Sequence, residues 1–140
     1  MKFEYPVVFK RQGDGSFVLS CRDLPEAVSQ GRDRDDALLA AEGALQAAIE
    51  FRMREGLAIP KASAPRRGER PIGLPPETAA KAALYGVMRE RGISKVQLAR
   101  QMGINEKEVR RMLDPGHATK VPRIAEALRA LGRQLRIEVV

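Results

Sequence analysis

The chain has 140 residues, with 25 Lys and Arg against 18 Asp and Glu, a net charge of +7 and one cysteine. An apolar content of 44% with 31% charged residues excludes a disordered tail and suggests one domain or two small ones. The single Cys21 excludes an intrachain disulfide and a cysteine zinc cluster, and no apolar run is long enough to span a bilayer. The N-terminus MKFEYPVVFK lacks the apolar core of a signal peptide. The expectation is a soluble, cytoplasmic protein with no membrane association.

Charge is unevenly spread: residues 1–55 carry a net −2, residues 56–76 carry +3 and residues 77–140 carry +6. A mildly acidic front and a basic back point to different partners for the two ends. Five of the nine prolines fall in PKASAPRRGERPIGLPP, residues 60–76. Proline neither continues a helix nor donates in a sheet, so this stretch reads as a stiff linker. It separates a first domain, residues 1–59, from a second, residues 77–140. Domains this small bury little surface, which favours oligomerisation.

The first domain reads strand, strand, strand, helix. Phe3, Tyr5, Val7 and Phe9 recur with a period of two, and Pro6 predicts that this strand lies at an edge or carries a bulge. Asp14-Gly15 supplies a hairpin turn into Phe17-Val18-Leu19, and a short Ala27-Val28-Ser29 strand follows the Asp23-Leu24-Pro25 turn. From Asp33, a helix cap, the period becomes helical, with Leu38, Ala41, Leu45, Ala48, Ile49 and Met53 forming a stripe for one sheet face. Gly56 stops the helix, and Leu57-Ala58-Ile59 reads as a further short strand.

In the second domain a helix carries Leu84, Val87 and Met88 on one side and ends at Gly92. Ser94-Lys95-Val96-Gln97 has the pattern of a capping box, opening a helix with Val96, Leu98, Ala99 and Met102. Asn105-Glu106-Lys107-Glu108 predicts a second box, opening a helix with Val109, Met112 and Leu113. Two short helices around Gly103-Ile104-Asn105 predict a helix-turn-helix whose core is Leu98, Ala99, Gly103, Ile104 and Val109. Ala99 is small where the helices cross, and Gly103 permits the left-handed turn conformation.

With Val109 inward, Lys107 and Arg111 point outward and Arg110 lies to one side, alternatively pairing with Glu106. Like charges four apart cost a few tenths of a kcal/mol in a free helix, and an anionic partner such as DNA reverses that sign. Ser94, Lys95 and Asn105, at the two helix starts, join Lys107, Arg110 and Arg111 as the expected DNA-binding set. A plain helical hairpin is the alternative, and the exposed basic face argues against it. After Pro115-Gly116 a helix holds Ile124, Ala125, Leu128 and Leu131, and then Leu135, Ile137 and Val139 alternate with polar residues. That last strand must pair with something: either the same strand of a second chain or its own domain.

YPVVF, the Asp14-Gly15-Ser16-Phe17-Val18 hairpin and Asp23-Leu24-Pro25-Glu26 with the following helix resemble the N-terminal domain of HicB-type antitoxins. AALYGVMRERGISKVQLARQMGINEKEVRRMLD resembles the helix-turn-helix branch of that family. The resemblance implies an α+β chain with a partial RNase H-like β-β-β-α(-β) domain joined to an all-α domain with a C-terminal strand. It further implies that residues 1–59 hold the surface, at residues not specified, that blocks a small HicA-type RNA-cleaving toxin. The second domain is implied to bind operator DNA. No enzyme is expected, because Asp14, Asp23, Asp33, Asp35 and Asp36 have turn and cap roles and do not converge as two-metal catalysis requires. Cys21 and His117 lie in different domains with no third group to orient them, and no cofactor motif or metal-ligand spacing occurs. The competing reading is a repressor whose first domain senses a small molecule and which has no toxin partner.

Overall fold

β1 (Glu4–Arg11), β2 (Phe17–Cys21) and β3 (Val28–Gly31) form an antiparallel meander, here in a computed structural model that describes all 140 residues. Gly15 takes φ +87° in the first turn, where Asp14 Oδ1 accepts the Ser16 amide at 3.0 Å. Registers Val7↔Cys21 and Phe9↔Leu19 put Tyr5, Val7, Leu19 and Cys21 on one face, and all four are buried. α1 (Arg34–Arg54) starts at Asp33, whose Oδ1 accepts the Asp36 amide at 2.9 Å. It buries Ala37, Ala41, Leu45, Ala48 and Ile49, while Leu38 is only half-buried.

Two expectations about the prolines are corrected. The sheet order is β3-β2-β1-β4, so β1 is interior, and its partner β4 (Glu69–Gly73) arises from the segment expected to be a linker. Leu57-Ala58-Ile59 forms no strand. The register shows how prolines fit an interior pairing. Pro6 stands opposite Pro71, and the Leu74 amide donates to Phe3 O at 3.0 Å, so the hydrogen-bonded pairs with β4 fall at odd positions of β1. Neither proline is asked for an N–H across this pair. On its other side Pro6 lies one residue beyond the end of β2, whose last partner is Val7.

β4 runs antiparallel to β1, whereas a helix leading straight into a neighbouring strand usually delivers a parallel one. The extended stretch 55–68 supplies the length to reverse direction, and side chains fasten it. Tyr5 Oη donates to Pro60 O at 2.8 Å, and the Ser63 amide and hydroxyl donate to the Asp23 carboxylate at 2.8 and 2.7 Å. Arg22 donates to Ala64 O at 2.9 Å and to Glu69 at 2.8 and 3.1 Å. The first compact unit is therefore Met1–Arg52 with Ile59–Pro75, and the division from the second falls inside α1. Met53, expected on the sheet-facing stripe, belongs to the second unit.

That second unit, Met53–Ala58 with Pro76–Val140, contains α2 (Pro76–Arg91), α3 (Lys95–Met102), α4 (Glu106–Leu113) and α5 (Val121–Ala130). α2 packs against α4 and α5, and α3 packs against α4 and α5. Leu84, Val87, Leu98, Val109, Met112, Ile124 and Ala127 are fully or almost fully buried. Tyr85 Oη donates to Leu57 O at 2.7 Å and Arg89 to Gly56 O at 2.6 Å, holding the end of the preceding segment. Residues 133–140 form no strand, and Ile137, Val139 and Val140 are exposed. The second unit is built of helices and offers the tail no strand edge to join.

Two glycines make opposite predictions. A Cβ on Gly31 would lie 2.3 Å from the Ala37 amide nitrogen and 2.4 Å from its Cα, both in the first turn of α1. Gly31→Ala is expected to destabilise the chain by about 1–3 kcal/mol or more, since backbone must move. Gly43, inside α1, has open space around it, so Gly43→Ala should stabilise by roughly 0.5–1 kcal/mol. Chemical denaturation of both variants checks the pair.

Tyr5 gives a pH-dependent prediction. Burial, reinforced by Asp23 and Cys21 and opposed by Arg52, pushes its phenol from 10.0 up to about 12. The folded chain holds this proton longer than the unfolded chain. The associated stabilisation is present below pH 10 and is lost as pH climbs toward 12. Tyr5→Phe should cost about 1 kcal/mol at neutral pH through the lost bond to Pro60. The gap to the parent protein should narrow at pH 11, as read by urea denaturation at both pH values.

Candidate nucleic-acid interface

Two eight-residue helices, α3 and α4, are joined through Gly103-Ile104-Asn105. At the start of α3, Ser94 Oγ accepts the Gln97 amide at 3.1 Å while Gln97 Oε1 accepts the Ser94 amide at 2.7 Å, a complete capping box. Gly103 ends the helix at φ +67°, and the Ile104 amide then donates to Ala99 O at 3.0 Å. Leu98, Ala99 and Val109 are buried and Ile104 is half-buried. Val96, grouped with the apolar residues of α3, is exposed.

The second capping box is only half formed. Asn105 Oδ1 accepts the Lys107 amide at 2.8 Å, but Glu108 does not return to the Asn105 amide. Its carboxylate is instead bound by Arg123 at 2.6 Å, and Arg123 also holds Glu126 at 2.7 Å. A cap residue can be read from spacing, but a competing arginine on α5 cannot.

Six side chains were expected to meet DNA, and the structure leaves all six exposed: Ser94, Lys95, Asn105, Lys107, Arg110 and Arg111. They divide by what they already do. Ser94 and Asn105 spend an oxygen on a helix cap, and Arg110 pairs with Glu106 at 2.9 Å. Lys95 occupies the first position of α3, and Lys107 and Arg111 stand four apart on α4, flanking the buried Val109. The result is a solvent-facing helix bearing two cations above a fixed core.

One residue of this region escaped the sequence reading. Lys81 of α2 is 2% exposed, and its ammonium donates to Asp114 O at 2.6 Å, to Arg111 O at 3.3 Å and to His117 O. Glu77 Oε1 lies 3.9 Å from it and accepts the Thr119 amide at 2.9 Å. The available signal was a lysine inside Ala80-Lys81-Ala82-Ala83-Leu84, a stretch otherwise apolar and buried.

No group of three or more His, Cys, Asp or Glu side chains is placed to hold a metal ion. Cys21 is buried, which pushes its thiol up from the usual range, and His117 Nδ1 lies 2.8 Å from Ala118 O in the loop after α4. No helix is long and apolar enough to cross a membrane.

Residues 4–83 match the family model described as HicB-like antitoxin of bacterial toxin–antitoxin systems. Similar proteins span nearly the whole chain and so include α3 and α4, which lie beyond that match. Antitoxin HicB 2 of Photorhabdus laumondii is 35% identical over 136 residues, 97% of this chain and 96% of its own. Antitoxin HicB of Pseudomonas fluorescens strain Pf0-1 is 33% identical, covering 98% and 94%. Antitoxin HicB of Escherichia coli strain K12 is 32% identical, covering 97% and 99%. The chain belongs to the HicB-like antitoxin family.

Proposed function

We propose that this antitoxin neutralises a HicA-type RNA-cleaving toxin through its first compact unit and represses its own operon by binding operator DNA through α3 and α4. The observation that carries the DNA part is the pair Lys107 and Arg111, exposed on one short helix whose opposite side holds the buried Val109. In a helix-turn-helix the second helix enters the major groove, where an arginine pairs with guanine, while a lysine at the helix edge meets the flanking phosphate backbone. Lys95 at the start of α3 suits a phosphate contact. Family membership supports the toxin partner and favours this reading over a ligand-sensing repressor. The order β1-β2-β3-α1-β4 supports the partial RNase H-like fold expected of the first unit.

The toxin surface is assigned to Met1–Arg52 with Ile59–Pro75, since β4 and its fastened approach are part of that unit. The second unit carries most of the chain's positive charge, which suits DNA. We read the chain as a cytoplasmic, non-enzymatic protein that needs no cofactor.

Lys107→Ala/Arg111→Ala in the full chain should lower operator affinity about tenfold or more, because one arginine–guanine contact contributes roughly 1–3 kcal/mol. The loss of the lysine should flatten the salt dependence by about one unit of slope. Fluorescence anisotropy with operator and scrambled duplexes at two salt concentrations measures both. Co-expression with the toxin should show full neutralisation by the same variant. Unchanged operator affinity in a folded variant would place DNA elsewhere.

Self-association through the C-terminal unit completes the proposal. The exposed Ile137 and Val139, on an alternating tail without a partner in its own chain, support exchange between two copies. Sedimentation should find at least a dimer, and a chain cut after Gly132 should dissociate at lower dilution. A full-length monomer at micromolar concentration refutes this.

A further inference from the structure

We propose that Lys81 is a positioning residue for DNA recognition, a buried cation that fixes the backbone from which Arg111 presents its guanidinium. This rests on the reading that α4 meets DNA. Placing an ammonium among buried alanines costs several kcal/mol unless hydrogen bonds and a counter-charge compensate it. An apolar side chain would serve the α2 packing better, so the charge must answer to something else.

Its surroundings say what that is. The ammonium has three N–H donors, and three carbonyls converge on it, from Arg111, Asp114 and His117. The last four carbonyls of a helix have no partner within it and carry partial negative charge, and Arg111 lies in the last turn of α4, which ends at Leu113. Thr119 Oγ1 donates to the same Arg111 carbonyl at 3.3 Å. Glu77 closes the arrangement by accepting the Thr119 amide and standing near the ammonium. The loop 114–119 is thus wound around a charge supplied by α2, and the main chain of Arg111 is one of its anchor points. Arg111 is exposed at its side chain and tethered at its carbonyl.

A cation that only stabilised the fold and one that positions Arg111 make different predictions for specificity. If Lys81→Met merely lowered the folded fraction, affinity for every duplex would fall by the same factor. Displacing Arg111 lowers affinity for the operator more than for a scrambled sequence, because base contacts discriminate and phosphate contacts do not.

The test uses the full-length protein, a duplex covering the promoter of its own operon, and a scrambled duplex of equal length, at one salt concentration. For Lys81→Met the operator-to-scrambled affinity ratio should fall about tenfold, the scale of one lost base contact. Amide exchange over residues 111–119 should quicken while that of α2 and α3 stays near the parent value. An unchanged ratio overturns the proposal, even if both affinities drop. Should Lys81→Met fail to fold, Glu77→Ala loosens the same loop from its exposed side and must lower the ratio by about threefold or more; no change again overturns it. Failure of the parent protein to prefer the promoter duplex would instead refute the DNA reading itself, and the exchange rates would still report whether Lys81 holds the loop.

Discussion

Eight residues are too few for a helix to satisfy its own backbone. The first four N–H groups and last four carbonyls find no partner inside it, which for α3 and α4 is half of their main-chain polar groups. Such helices do not persist alone in water. Everything about the exposed face of α4 depends on how these groups are met from outside. Ser94 and Gln97 serve the start of α3, and Gly103 turns the chain so that Ile104 can reach back to Ala99. Asn105 serves the start of α4, and Lys81 its end. Arg91 and Gln101 do the same for the carbonyls of Leu131 and Ala130 at the end of α5.

The first unit meets a related demand with different chemistry. Its irregular stretch 59–68 has no ladder to join, and backbone groups there are met by Tyr5 of β1 and by Arg22 and Asp23 just after β2. Glu26 bonds Arg52 and Glu69 bonds Arg22, and each arginine holds its partner's carboxyl below the usual range. These carboxylates keep their charge, and hence their hold, into mildly acid solution. The contribution is present above the ordinary glutamate range and is lost only as pH falls through the lowered values.

Periodicity and caps made most of the elements legible in advance. β1, β2 and α1 announce themselves by a change from alternate to helical spacing at Asp33, and α3 by a complete Ser94–Gln97 box. What stayed hidden depends on partners distant in sequence. β4 looked like a linker because prolines argue against strands in general, yet Pro71 meets Pro6 where neither needs an amide hydrogen. Glu108 looked like a cap because nothing nearby in sequence reveals that Arg123 claims it. Lys81 reads as a solvated helix residue until tertiary packing brings three carbonyls to it. Residue types placed Lys107 and Arg111 on an exposed face, but only the fold shows that the carbonyl of Arg111 is tied down.

The facing prolines in the middle of β1 and β4 also govern how the sheet meets other molecules. Because the pair makes no hydrogen bond inward, the Pro71 nitrogen faces the outer margin of β4, the margin where another strand would attach. There it offers no donor, and Arg70 next to it adds charge. A sheet margin interrupted in this way resists the uncontrolled strand-on-strand growth that leads to aggregates. The opposite margin is β3, a strand of only four residues. Both margins of the sheet therefore offer little purchase to the sheet of a second copy.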